Sequence, residues 1–140
     1  MKFRTIIFED DSPVRQLLKM AAEMRGHDVL TFESPIFCAL SRGEACSHEG
    51  ACSDVIMSDH QMPGMSGLEF FTMLREKKCL VPNKALVTAA TEEELRELAE
   101  KLGCDFISKP FQIHDIESWL KEAERKIPPD RMLLPVEKLY

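Results

Sequence analysis

The sequence predicts an α/β domain, a doubly wound five-stranded parallel sheet flanked by five helices, and three observations predict it. Short apolar runs alternate with amphipathic stretches, and five such pairs follow one another without an internal repeat. The runs are too short for isolated helices and several are rich in Val, Ile and Phe, as strands buried on both faces are. A chain of 140 residues, 44% hydrophobic and 30% charged, suits one hydrophobic core rather than a disordered or fibrous protein.

In chain order, the first strand is expected over Lys2 to Phe8, ending in Glu9-Asp10-Asp11. Ser12, followed by Pro13 at the first helical position, opens a helix whose Val14, Leu17, Leu18 and Ala21 share a face. A second strand runs from Asp28 to Thr31. The polar, Gly- and Cys-containing segment Ser41 to Ser53 reads as a loop longer than a usual connection. Val55 to Ser58 is the third strand, with Asp59 directly after it; Ser66 and Glu69 then form a capping box that starts a helix. Lys84 to Thr88 is the fourth strand, followed by a second box at Thr91 and Glu94. Asp105 to Ser108 is the fifth, leading through Lys109-Pro110 to a helix with Ile113, Ile116, Leu120, Ala123 and Ile127 on one stripe. The domain is expected over residues 1–127. Residues 128–140, with three prolines, read as a tail without an output domain, whose Met132, Leu133, Leu134, Val136, Leu139 and Tyr140 fold back on the core or dock a partner.

A net charge of −6 without a clustered Lys/Arg surface argues against direct nucleic-acid binding. The first apolar run is cut short by carboxylates and no stretch is long enough to span a bilayer, so a cytoplasmic location without a membrane contact is expected. Five cysteines, an odd number, then read as thiols rather than a disulfide framework.

Ligands of a doubly wound sheet bind outside the carboxyl ends of its strands. Glu9-Asp10-Asp11, Asp59 and Lys109 follow strands in this way, and Thr88 ends one. Carboxylates converging there repel one another unless a hard divalent cation joins them, and Mg²⁺ is the physiological candidate. Such an ion, with the Lys109 ammonium and the Thr88 hydroxyl, would surround a phosphoryl group on Asp59, the carboxylate serving as nucleophile.

The motifs Phe8-Glu9-Asp10-Asp11 with Arg15, Met57-Ser58-Asp59-His60-Gln61-Met62-Pro63-Gly64-Met65-Ser66-Gly67-Leu68-Glu69, Val87-Thr88-Ala89-Ala90 and Ser108-Lys109-Pro110-Phe111 stand in one order and spacing. Over residues 2–127 the chain resembles the response-regulator receiver domains of two-component signalling, stand-alone type, which have a flavodoxin-like fold. The resemblance implies that Asp59 is a phosphoacceptor supplied by a histidine kinase or phosphotransfer protein. It implies a Mg²⁺ site made of Asp10, Asp59, the backbone carbonyl of Gln61 and, through water, Glu9. Lys109 resembles the phosphate-pairing lysine, with a cis bond to Pro110, and Thr88 and Phe106 match the switch pair that changes a protein-binding surface read by a downstream target. Such a domain promotes its own phosphorylation and dephosphorylation without being a turnover enzyme.

Two other classes fit the sequence less well. Hydrolases of the haloacid-dehalogenase kind also use Asp, Thr, Lys and Mg²⁺, but place the nucleophile after the first strand, whereas here it follows the third. A phosphorylation-independent binding module is opposed by the intact Asp10, Asp59, Thr88 and Lys109 set. Separately, Cys38, Cys46, His48 and Cys52 offer soft metal ligands in a short stretch, without a standard zinc spacing, and loop thiols with a surface imidazole are the simpler expectation. Cys79 and Cys104 receive no role, and His60 is expected to be an exposed loop histidine.

Overall fold

Alternation of apolar side chains with period two puts each central strand's residues into two different cores. The computed structural model describes residues 2–38, 46, 50–90 and 92–138. Its strands are β1 (Arg4–Phe8), β2 (Asp28–Phe32), β3 (Val55–Ser58), β4 (Asn83–Thr88) and β5 (Asp105–Ser108), its α-helices α1 (Ser12–Met24), α2 (Gly67–Glu76), α3 (Glu93–Lys101) and α4 (Ile113–Arg125). All strand pairs are parallel, in the order β2-β1-β3-β4-β5.

On one face Ile6, Phe8, Ile56 and Leu86 meet Phe70, Phe71 and Leu74 of α2 and Leu95 and Ala99 of α3. On the other, Ile7, Val55, Met57, Ala85 and Val87 meet Leu18, Ala21 and Ala22 of α1 and Ile116, Leu120 and Ala123 of α4. Strands β1, β3 and β4 are therefore buried almost throughout, and the edge strands β2 and β5 only partly. The second strand runs one residue further than the alternation predicts, to Phe32, whose ring stacks on Phe8 at 5.7 Å between centroids.

The helix count departs from the expected five: the described residues hold four α-helices. After β2 they hold a 3-10 turn, Pro35–Phe37, capped by Ser34 Oγ accepting from the Ile36 N–H at 3.2 Å. Pro35 presets that first turn, and residues 39–45 and 47–49 of the connection that follows lie outside the described residues. The Ser66–Glu69 capping box forms in full. Thr91 of the second box lies outside the described residues, and α3 starts after Glu92 without a side-chain cap. Asp11 rather than Ser12 is the N-cap of α1, again without a side-chain bond. Gln112 and Asp115 make a reciprocal cap on α4 that the sequence reading omits.

The stretch after Pro128 folds back on the amino ends of β1 and β3. Leu133 bridges Ala51, and the Leu134 N–H donates to the Ala51 carbonyl at 2.9 Å. Arg131 sends two 2.8 Å hydrogen bonds to the carboxylate of Asp54, which is 1% exposed, and its guanidinium lies 5.7 Å from the centre of the Phe3 ring.

Candidate functional site

The site is built at the opposite, carboxyl ends of the strands, where each key residue is held by a backbone bond that prolongs the sheet. The Glu9 N–H donates to Phe32 O at 2.9 Å, Asp59 N–H to Phe8 O at 2.9 Å, and Lys109 N–H to Thr88 O at 2.8 Å. These bonds extend strand pairs β1–β2, β1–β3 and β4–β5 by one residue, so three side chains from distant sequence positions leave the sheet edge together. Arg15 Nη1 on α1 donates to the Glu9 carbonyl at 2.8 Å and fixes the turn from the other side.

Among the described residues one group of carboxylates has its ligand atoms within 4.8 Å of one another: Glu9, Asp10 and Asp59. Glu9 is fully buried, Asp59 is 7% exposed, and Asp10 is open to solvent. Lys109 Nζ stands 2.7 Å from Glu9 Oε1 and 3.4 Å from Asp59 Oδ1. Glu9 Oε2 is buried without a hydrogen-bond partner. Burial, and then the neighbouring Asp59 carboxylate, push the Glu9 carboxyl up to about 7 against the opposing pull of Lys109. Burial draws the Lys109 ammonium down, but Glu9 and Asp59 outweigh it and the net shift is upward. An orphaned carboxylate oxygen beside two more carboxylates is a donor set suited to a hard, oxygen-seeking divalent cation.

Around Asp59 the loop to α2 is tightly specified. The His60 N–H donates to Asp59 Oδ1 at 2.7 Å. His60 is half-buried rather than exposed, its Nδ1 accepting from the Leu68 N–H at 3.4 Å, which ties the loop to the start of α2. A Cβ on Gly67 would collide with the Asp59 carbonyl and come within 2.6 Å of Leu86 Cδ1, so glycine is required by the close approach of α2 to Asp59. Sequence reading passes over Gly67 because it sits inside a capping motif that explains itself locally. Gln61 is exposed on this loop.

Thr88 is 1% exposed and its Oγ1 accepts from the Ala90 N–H at 3.1 Å. Phe106 is half-buried on β5, opposite Leu86 on β4, and the Arg96 guanidinium of α3 lies 4.5 Å from its ring centre. Arg96 is a partner no local pattern marks. The Lys109–Pro110 bond is cis. Cys38, Cys46, Cys52 and Cys79 pack, half-buried, against the α2 face of the core; His48 lies outside the described residues, and among the described residues no three cysteine sulfurs lie within 4.8 Å of one another.

A sheet of this order with acidic residues after β1 and β3 and a lysine after β5 can be compared with known proteins. The response regulator receiver domain family matches residues 5–121. The chain belongs to that family. It is 28% identical over 134 residues to the phosphate regulon transcriptional regulatory protein PhoB of Pseudomonas aeruginosa, covering 94% of this chain and 56% of that protein. It is 27% identical over 129 residues to the alkaline phosphatase synthesis transcriptional regulatory protein PhoP of Bacillus subtilis, covering 90% and 50%. This receiver domain thus spans about half the length of the curated relatives it matches. Among solved structures it superposes on FixJ-N with a TM-score of 0.72 at 27% identity, covering 91% and 98% of the two chains. The chemotaxis response regulator CheY4 of Vibrio cholerae superposes with a TM-score of 0.69 at 24% identity, covering 88% and 99%. Among the described residues of this receiver domain no helix is long and apolar enough to cross a membrane.

Proposed function

We propose that Asp59 accepts a phosphoryl group from a phosphohistidine on a histidine kinase or phosphotransfer protein. The observation that carries this reading is the convergence of Glu9, Asp10 and Asp59 with Lys109 Nζ 3.4 Å from Asp59 Oδ1. An Asp59 carboxylate oxygen attacks phosphorus; the new O–P bond forms as the P–N bond to the donor imidazole breaks, and the electron pair leaves with the nitrogen. Lys109 places positive charge beside the attacking carboxylate and the oxygens it receives. The His60 N–H fixes Asp59 Oδ1, so the carboxylate is oriented before the donor arrives.

Asp10, Asp59 and the Gln61 carbonyl would hold Mg²⁺, with Glu9 adjoining through water. When bound, the ion supplies charge neutralisation for the phosphoryl oxygens and the three carboxylates. Thr88, at the end of β4, carries the readout: its hydroxyl exchanges the Ala90 N–H for a phosphoryl oxygen, and Phe106 moves with it. The surface of α3, β5 and α4 then differs between the two states, and a downstream protein binds one of them.

The test is incubation with Mg²⁺ and acetyl phosphate followed by intact mass. Wild type should gain one phosphoryl group and Asp59→Asn none. A wild type that gains nothing, or an Asp59→Asn chain that gains as much, overturns the assignment.

A further inference from the structure

One residue closes the base of the loop between Asp59 and α2, and it does so in three ways. The His60 N–H donates to Asp59 Oδ1 at 2.7 Å, its carbonyl accepts from the Gly67 N–H at 2.8 Å, and its Nδ1 accepts from the Leu68 N–H at 3.4 Å. The ring bond is the longest of the three, yet among the described residues the Leu68 N–H has no other acceptor. The first N–H groups of a helix lack partners inside it. In α2, Ser66 Oγ takes that of Glu69 at 3.1 Å, and His60 takes those of Gly67 and Leu68, one with its backbone and one with its ring.

A backbone N–H only donates, so Nδ1 carries the lone pair and the ring proton sits on Nε2. The three bonds restrain different torsions of one residue: the N–H lies before φ, the carbonyl beyond ψ, and Nδ1 beyond χ1. With all three made, the peptide whose N–H faces Asp59 Oδ1 does not turn. Lys109 Nζ stands 3.4 Å from the same oxygen, so the tilt of the carboxylate is set from two sides. The Asp59 backbone is held as well, by its N–H on the Phe8 carbonyl and by Ser58 Oγ donating to its own carbonyl, each at 2.9 Å. Any residue at position 60 supplies the N–H and the carbonyl; only the ring bond depends on its being histidine.

We propose that the His60 imidazole is a positioning residue for phosphoryl transfer to Asp59. Its bond to the start of α2 holds the peptide between Asp59 and His60, so that Asp59 Oδ1 stays on the His60 N–H and beside Lys109 before a phosphodonor arrives. Without the ring bond, residue 60 is held to α2 by its carbonyl alone and pivots about it, and a small misplacement of a reacting group is costly. The inference rests on the reading of Asp59 as the phosphoacceptor, and the ring acts through the backbone rather than on phosphorus.

The experiment compares His60→Asn, whose Oδ1 stands as many bonds from Cα as the histidine Nδ1, with His60→Leu, which has no acceptor. Labelling of the full chain by Mg²⁺ and acetyl phosphate is followed by intact mass across donor concentrations. His60→Leu should lower the maximal rate by at least about tenfold, a misplacement of about 1 Å being worth up to about 100-fold, with the half-saturating acetyl phosphate concentration unchanged. His60→Asn should restore most of that rate. Ser66→Ala, which uncaps the same helix without touching His60, should lower stability to urea but not the maximal rate. An unchanged rate in His60→Leu, equal losses in His60→Asn and His60→Leu, or as large a loss in Ser66→Ala overturns the role. If His60→Leu does not fold, imidazole ¹⁵N shifts of wild type decide: the proton should be on Nε2, and a proton on Nδ1 in its place overturns the proposal. A wild type that takes no label overturns the phosphoacceptor reading and this role with it, whereas the other outcomes overturn the role alone.

Discussion

Lys109 reaches from the end of β5 to donate to Glu9 Oε1 at 2.7 Å, closer than its 3.4 Å approach to Asp59 Oδ1. The ammonium is therefore held beside Asp59 by a carboxylate that is itself fully buried. Glu9 thus positions Lys109, and under the proposed function a phosphoryl group on Asp59 would compete with Glu9 for the same charge.

Lys109→Met should leave Asp59 intact yet slow phosphoryl gain from acetyl phosphate by at least about 100-fold, the lower range for loss of one electrostatic contact in a reacting site. Stability at neutral pH should fall only modestly, because Glu9, raised to about 7, can take a proton when its partner is lost. Labelling at the wild-type rate would remove Lys109 from the proposed reaction.

Thr88→Ala should separate labelling from readout. The chain's single tryptophan, Trp119 on α4, donates from Nε1 to Asp105 Oδ2 at 2.7 Å, next to Phe106 on β5. Wild type should shift Trp119 emission on phosphorylation. The variant should gain the phosphoryl mass without the shift; an unchanged shift counts against Thr88 as the switch.

Gly67→Ala should destabilise by about 1–3 kcal/mol and slow labelling, since the new methyl displaces the Asp59 backbone or α2. Urea unfolding measures the first effect and intact mass the second. A variant as stable and as reactive as wild type contradicts the close packing.

Glu124 on α4 accepts from Arg25 at 2.6 Å and 3.1 Å and pairs with His27 Nε2 at 2.8 Å, while His27 Nδ1 meets Thr5 Oγ1 at 2.7 Å. Burial pushes its carboxyl up, but Arg25 and His27 outweigh it and the net shift is down from 4.5. A depressed carboxyl stabilises fully above the unfolded value, and that contribution is lost as pH falls through the folded one. Glu124→Gln should therefore cost about 1–3 kcal/mol at neutral pH, and the gap to wild type should close as pH drops below 4.5. A gap that widens on acidification would reverse the sign of this account.

Arg131→Met should cost about 3 kcal/mol by leaving the Asp54 carboxylate buried with only the Arg4 N–H, at 2.9 Å, to satisfy it. Adding Asp54→Asn should recover part of the loss in a double-mutant cycle; strict additivity of the two changes would deny the coupling.

The continuous apolar runs Ile6-Ile7-Phe8, Val55-Ile56-Met57 and Ala85-Leu86-Val87 were enough to predict a parallel sheet covered on both faces, because only a strand buried on both sides leaves no position for a polar side chain. The placement of Glu9, Asp59, Thr88 and Lys109 at the carboxyl ends of their strands was legible because parallel strands present those ends on one edge. What needed the tertiary structure were relationships between residues far apart in sequence. Lys109 pairs with Glu9, 100 positions away, and Arg131 with Asp54, 77 away. Arg96 covers Phe106, and Gly67 lies against the Asp59 carbonyl. Local patterns encode which face a side chain takes; the partner it meets there depends on strand order and helix packing, which only the folded chain sets.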